Sequence, residues 1–135
     1  MVKVIYGKKG SGKTKSMIDN ANNLASSSNG NVVFIDDSNQ LMYSLKHEVR
    51  FINITDFPVL EPEAFLGFIC GVVSSNYDVD GIFIDGLTYI VKKEASTLKN
   101  FFDEIASMSE KYHVKFFVSI NGDNEVMPEF LKEYE

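Results

Sequence analysis

The sequence predicts an α/β domain, a three-layer αβα sandwich built around a mainly parallel sheet of five strands. Two observations predict it. Five short apolar runs recur along the 135 residues, and they are continuous rather than alternating, as is typical of strands buried on both faces. Segments with apolar residues at helical spacing separate these runs, as crossovers between parallel strands require. Ligands of such sheets bind at the carboxyl ends of the strands, where we therefore expect a site.

The first half of the chain supplies three of the predicted strands, at residues 2–6, 32–36 and 49–54. A helix beginning at about Lys13 should link the first two strands, and a polar break with a short, weak helix around residues 38–46 should link the next two. The apolar positions at helical spacing in the first helix are Met17, Ile18, Ala21, Leu24 and Ala25.

The second half supplies two strands, at residues 81–85 and 114–120. Pro62 suits the first turn of a helix that precedes them, and Pro128 is expected to start a short terminal helix. The apolar face of the helix after Pro62 comprises Ala64, Phe65, Phe68, Ile69, Val72 and Val73. The helix between the two strands is marked by Leu98, Phe101, Phe102, Ile105 and Met108.

Length and composition favour one globular domain spanning residues 1–135, since 44% of the residues are hydrophobic and 24% are charged. The net charge of -6 disfavours a nucleic-acid partner, because such proteins usually present a basic face. The chain opens directly into a strand and has no apolar run near the length of a membrane span, so we expect a cytoplasmic protein without a membrane partner.

The single cysteine, Cys70, excludes an internal disulfide and a zinc site built from several cysteines. Because Cys70 lies in the apolar run FLGFICGVV, we expect a buried structural thiol.

A glycine-rich stretch between the first strand and the first helix carries the clearest functional signal. Gly7, Gly12, Lys13 and Thr14 have the spacing G-x-x-x-x-G-K-T. Glycines allow a tight loop whose backbone N–H groups face phosphate oxygens, and the helix that follows adds a favourable dipole. Lys13 would reach the β- and γ-phosphates. The candidate nucleotide-binding residues are Gly7, Lys8, Lys9, Gly10, Ser11, Gly12, Lys13, Thr14 and Lys15.

A phosphate loop of this kind needs an acidic residue on a nearby strand to complete the Mg²⁺ shell. Asp85 ends the apolar run GIFID, and a carboxylate at the tip of a buried strand is costly unless something uses it. We therefore predict Thr14 and Asp85 as the metal-binding residues, with ATP and Mg²⁺ as the cofactors. Asp36 and Asp37 end the second strand and form the other acidic strand tip.

Three stretches make the chain resemble a P-loop NTPase of the RecA-like type: GKKGSGKT, VVFIDDSN and VDGIFIDGLTYI. The resemblance covers residues 2–121 and extends to compact bacterial ATP-binding proteins. It implies that Gly7, Gly12, Lys13 and Thr14 are Walker A residues and that Asp85 is the Walker B aspartate. It also implies a polar sensor of the γ-phosphate at the end of the fifth strand, at Ser119 or Asn121.

The departures from that family concern turnover. Its water-activating glutamate either follows the second strand, where this chain has Ser38, or follows the Walker B aspartate, where it has Gly86. Lys13 and Asp37 are the remaining candidate catalytic residues, and the aspartate is one methylene shorter than glutamate. The resemblance thus implies binding of nucleoside triphosphate and leaves slow hydrolysis as a hypothesis.

Three functions stay open from the sequence. The first is an ATP-binding switch or subunit with slow ATPase activity. The second is a nucleoside or small-molecule kinase, although the only arginine, Arg50, cannot supply an arginine-rich lid. The third is a non-hydrolysing interaction module. A homo-oligomer and a protein partner both remain open.

Overall fold

The computed structural model describes residues 1–8, 10–59, 61–122 and 126–135, and its five strands form one sheet in the order β1-β5-β4-β2-β3. Every neighbouring pair is parallel, which confirms the predicted parallel, five-stranded α/β fold. The strands are β1 (Val2–Gly7), β2 (Asn31–Asp36), β3 (Val49–Asn53), β4 (Val79–Ile84) and β5 (Lys115–Asn121).

Within the described residues, four α-helices lie between strands. They are α1 (Lys13–Ser27), α2 (Pro62–Ser75), α3 (Leu87–Val91) and α4 (Lys99–Tyr112). The weak helix expected at 38–46 is only a 3₁₀ turn at Met42–Ser44, and the terminal helix is a 3₁₀ helix at Glu129–Tyr134. The short helix α3, which buries Leu87, Ile90 and Val91 on one side, was not predicted from the sequence.

The strand order places the helices on both faces of the sheet. From β1 the chain moves across to β2 and β3, and then returns through β4 to β5. Right-handed crossovers put helices on opposite faces when this direction reverses. Accordingly, Met17 of α1 packs in one core cluster, whereas Phe65 of α2 and Phe102 of α4 pack in the other. The arrangement is compatible with a three-layer sandwich.

A row of phenylalanines across the sheet fixes the register of three strands. Phe34 of β2 lies opposite Phe83 of β4, which lies opposite Phe117 of β5. The ring centroids are 6.0 Å apart in the first pair and 4.4 Å apart in the second, and both pairs are stacked. Because a shift of one residue would move each ring to the other face, this row aligns the carboxyl ends of the three strands.

One expectation about α2 is wrong. Cys70 is exposed rather than buried, because the buried residues Phe65, Ile69 and Val73 occupy one side of the helix and Cys70 lies one position beyond that side.

Within the described residues, none of the helices combines the length and the apolar character needed to cross a bilayer.

Candidate functional site

A cleft of about 580 Å³ opens at the carboxyl edge of the sheet, where parallel sheets usually bind ligands. We call it the main cleft. The glycine-rich loop contributes Gly10, Gly12, Lys13 and Thr14 to it. The end of β2 and the loop after it contribute Asp36, Asp37, Ser38, Gln40 and Leu41. The ends of β4 and β5, together with α3, contribute Asp85, Gly86, Tyr89, Ser119 and Asn121.

The glycines have identifiable structural roles in the loop. Gly12 caps α1 with φ of 89°, a left-handed conformation that a larger side chain adopts only with strain. At Gly7 the reason is space, since a Cβ atom would lie 2.9 Å from the Ser11 Oγ and 3.7 Å from the Lys13 Cδ. The sequence therefore allows both the turn into the helix and the close packing inside the loop.

Lys13 crosses back over the loop. Its ammonium donates a hydrogen bond of 2.6 Å to the backbone carbonyl of Lys8, which also accepts one of 3.1 Å from the Ser11 N–H. The Lys13 side chain is buried, at 8% exposure, and still lines the main cleft. A buried ammonium on a flexible stem is a strong donor for phosphate oxygens that enter the cleft.

The first turn of α1 is suited to an anion. Within the described residues no side chain caps this turn, and no acidic residue lies in it. The positive end of the helix dipole lies at the side of the loop on which Gly12, Lys13 and Thr14 line the main cleft. The loop and the helix thus offer backbone donors and a lysine to the same space.

Asp85 faces the loop from the end of β4. The Ser119 hydroxyl donates to one carboxylate oxygen at 2.7 Å and accepts from the Gly86 N–H at 2.8 Å. The Thr14 hydroxyl lies 3.5 Å from the other oxygen, at the outer limit of hydrogen bonding. Burial raises the pKa of Asp85, while the hydrogen bonds from Ser119 and Thr14 partly offset this increase.

The two aspartates at the end of β2 differ in environment. Asp36 is buried, at 6% exposure, whereas Asp37 is exposed. The pKa of Asp36 is raised from 3.8 to about 7. Burial is the largest cause, the charges of Asp85 and Asp37 add to the rise, and the hydrogen bond of 2.8 Å from the Asp37 N–H opposes it. Asp37 is the candidate catalytic acid predicted from the sequence, and both aspartates line the main cleft.

The Thr14 and Asp85 oxygens suit Mg²⁺, which prefers hard oxygen ligands. The described residues include no group of three or more His, Cys, Asp or Glu side chains able to hold a metal ion. Two protein oxygens are enough for Mg²⁺ in nucleotide sites, where phosphates and water complete the shell. When bound, the ion would neutralise phosphate charge beside Lys13.

The main cleft brings together most of the residues that the sequence predicted. Gly10, Gly12, Lys13, Thr14, Asp37, Asp85, Ser119 and Asn121 all line it. Gly7 and Ser11 shape the loop, and Lys8 contributes its carbonyl. Lys15 instead forms an exposed ion pair of 3.0 Å with Asp19, and Lys9 lies outside the described residues.

Some residues of the main cleft were missed from the sequence. Asp36 was recognised as a strand-end acid but was given no role, and Gln40, Leu41 and Tyr89 were not predicted as site residues. Tyr89 could have been found, because Leu87, Ile90 and Val91 have helical spacing and leave Tyr89 on the other side. Arg50 is exposed near the start of β3, at the end of that strand away from the main cleft.

Comparison with known proteins adds no relative: no protein-family model matches the chain, and no curated protein matches it.

Proposed function

We propose that the chain binds a Mg²⁺–nucleoside triphosphate, with ATP as the reference ligand, in the main cleft. One observation carries this proposal: the G-x-x-x-x-G-K-T loop, the uncapped start of α1 and the Asp85 carboxylate all face one cleft. The phosphates would lie on the loop, with Lys13 at the β- and γ-phosphates. Thr14 and Asp85 would hold the Mg²⁺ shell. The RecA-like P-loop architecture belongs to the same proposal.

Turnover in this proposal is slow. The described residues of the main cleft include three aspartates, Asp36, Asp37 and Asp85, but no glutamate. A shorter acid must hold an attacking water from farther away, and a displacement of about 1 Å can cost about 10²-fold in rate. A chain that holds its nucleotide for long periods suits a nucleotide-dependent switch or a subunit of a larger assembly.

Thermal unfolding with and without Mg-ATP tests the binding. At a ligand concentration of about 100 times Kd, binding to the folded state adds about 2.7 kcal/mol, and the Tm should rise by on the order of 10 °C for a chain of this size. The Lys13→Ala variant should lose this rise. The Lys15→Ala variant is a matched control, because it removes an equal charge from a side chain that pairs with Asp19 outside the main cleft.

Isothermal titration calorimetry provides a second measurement, because it records the heat of binding directly and does not rely on a change in Tm. The Thr14→Val variant should keep its affinity for ATP in EDTA and lose the increase that Mg²⁺ gives the parent chain. A parent chain with no Tm rise and no binding heat at millimolar Mg-ATP would refute the proposal, as would equal affinities in the Lys13→Ala and Lys15→Ala variants.

A further inference from the structure

A second cavity adjoins the main cleft on the side of α3. It has a volume of about 280 Å³, and it shares Tyr89 and Asn121 with the main cleft. The other polar side chains that line it are Thr88, Lys92, Lys93 and Glu94. We call it the lysine cavity. Since Asn121 pairs with Gly7 in the sheet register, the lysine cavity lies beside the start of the glycine-rich loop.

The course of α3 explains why the lysines lie there. Gly86 starts this short helix directly after Asp85, and Leu87, Ile90 and Val91 bury one side of it. The helix ends at Lys92, which has φ of 54° and ψ of 43°. This left-handed conformation reverses the chain, so that both lysines line the cavity. Lysine adopts this conformation at a cost that glycine would avoid.

The charges of the two cavities differ in sign. The main cleft has three aspartates and one lysine among its described lining residues, whereas the lysine cavity has two lysines and one glutamate. Lys93 is partly neutralised by Glu61, whose carboxylate lies 3.6 Å from its ammonium, but both side chains are largely exposed. Within the described residues, Lys92 makes no ion pair or side-chain hydrogen bond. In a chain of net charge -6, this cavity is therefore a local site of positive charge.

The neutral groups of the lysine cavity also suit an oxyanion. The Thr88 hydroxyl and the Asn121 amide can donate hydrogen bonds, and each lysine has three donors on a flexible stem. The volume is below that of most drug-sized sites, so the ligand must be small. A carboxylate or a phosphate group on a small organic molecule matches both the charge and the size.

We propose that the lysine cavity is a second anion site, which receives the carboxylate or phosphate group of a small molecule while a nucleotide occupies the main cleft. Anion binding itself needs only Thr88 of α3, the two lysines that follow this helix, and Asn121; the role as a second ligand beside the nucleotide rests on the proposed function. The shared Tyr89 and Asn121 side chains would then contact both ligands.

Amide NMR spectra of the ¹⁵N-labelled chain test this site, with methyl phosphate and acetate as the two probes. The chain is first saturated with Mg²⁺ and a non-hydrolysable ATP analogue, so that the main cleft is filled. Each probe should give saturable shifts of the Thr88, Tyr89, Lys92 and Asn121 resonances, beyond those that sodium chloride gives at equal ionic strength. The probe that binds more tightly identifies the anion class.

The Lys92→Gly variant should bind the tighter probe about five-fold more weakly, as loss of one exposed charge pair predicts. Glycine tolerates the left-handed backbone, so the variant should fold. His113→Gly is a matched control, because His113 ends α4 in the same conformation, with φ of 59°, and does not line the lysine cavity. Lys93→Gln gives a second variant without any change at a left-handed position.

Two results would overturn the inference: shifts no larger than those in sodium chloride, or a Lys92→Gly variant and a Lys93→Gln variant that both bind like the parent. The same titration of the Lys13→Ala variant without nucleotide separates the two proposals. If the α3 shifts persist there while the parent chain fails to bind Mg-ATP, the nucleotide proposal alone fails. If the parent binds Mg-ATP and its α3 resonances do not respond to either probe, the lysine cavity alone fails.

Discussion

Replacing Asp36 by asparagine should make the protein more stable at neutral and alkaline pH. The Asp36 carboxyl is 6% exposed, and burial raises its pKa from 3.8 to about 7 because it disfavours the ionised form. A folded-state pKa above the unfolded value means that the folded chain binds this proton more tightly. The stabilisation from Asp36 is therefore complete below about pH 3.8 and is lost as the pH rises through about 7.

The size of this effect follows from the two pKa values. The difference between 3.8 and about 7 corresponds to about 4 kcal/mol in the free energy of unfolding. Asp36 lines an open cleft, where water screens part of the charge, so we expect a loss of about 2 kcal/mol between pH 5 and pH 8. Asparagine carries no charge at any of these pH values. Its side-chain oxygen can still accept the hydrogen bond of 2.8 Å from the Asp37 N–H.

Urea denaturation in EDTA, followed by circular dichroism from pH 5 to pH 8.5, measures this difference. The parent chain should lose stability across the range, and the Asp36→Asn variant should lose much less and exceed the parent at pH 8. Asp78→Asn is the control, since Asp78 is an exposed aspartate just before β4, at the opposite edge of the sheet. The reasoning fails if Asp36→Asn follows the pH dependence of the parent, or if it is the less stable chain at pH 8.

Three further outcomes follow from the site and from α2. Ser119→Ala removes the hydroxyl that donates to Asp85 at 2.7 Å, so urea denaturation should show a loss of about 1–2 kcal/mol; an unchanged stability would mean that this bridge contributes nothing. Gly7→Ala places a Cβ atom 2.9 Å from the Ser11 Oγ; because the serine side chain can rotate away, titration calorimetry should show Mg-ATP binding only about two- to three-fold weaker, and a loss above about ten-fold would show that the loop cannot adjust. The exposed Cys70 should react with a thiol reagent in the folded chain almost as fast as in urea, and a protected thiol would contradict its exposure.

The pattern of strands was predictable because a parallel sheet covered on both faces needs continuous apolar runs. The run at residues 32–36 became the buried strand β2, and Asp36 at its end reached the carboxyl edge as any strand-end residue must. Proximity of the loop to Asp85 followed from the same rule, since the carboxyl ends of parallel strands meet at one edge. The sequence was therefore enough to predict which segments of the chain line the main cleft.

Side-chain environments at that edge were not predictable in the same way. Asp36 and Asp37 are adjacent in the sequence, and composition cannot say which of the two is buried. Asp36 is buried and Asp37 is exposed in the folded chain, and this difference arises from tertiary packing. The expectation for Cys70 was wrong for a different reason: it rested on the apolar run of nine residues around Cys70, whereas the predicted apolar face of the helix, which includes the buried Phe65, Ile69 and Val73, does not contain Cys70.

Ser119 connects the two proposed sites. Its hydroxyl donates to the Asp85 carboxylate at 2.7 Å and accepts from the N–H of Gly86 at 2.8 Å, and Gly86 is the residue from which α3 starts. A metal ion beside Asp85 competes with Ser119 for the same carboxylate, and any rotation of the hydroxyl changes the support of the Gly86 N–H. Since α3 has only five residues and ends at Lys92, a small movement at its start alters the lysine cavity. Gly86 and Tyr89 line the main cleft and would respond to a nucleotide directly, whereas Lys92 does not line it. We therefore expect Mg²⁺ and nucleotide to shift the Lys92 amide resonance in the parent chain; an equal shift in the Ser119→Ala variant would show that the signal takes another route.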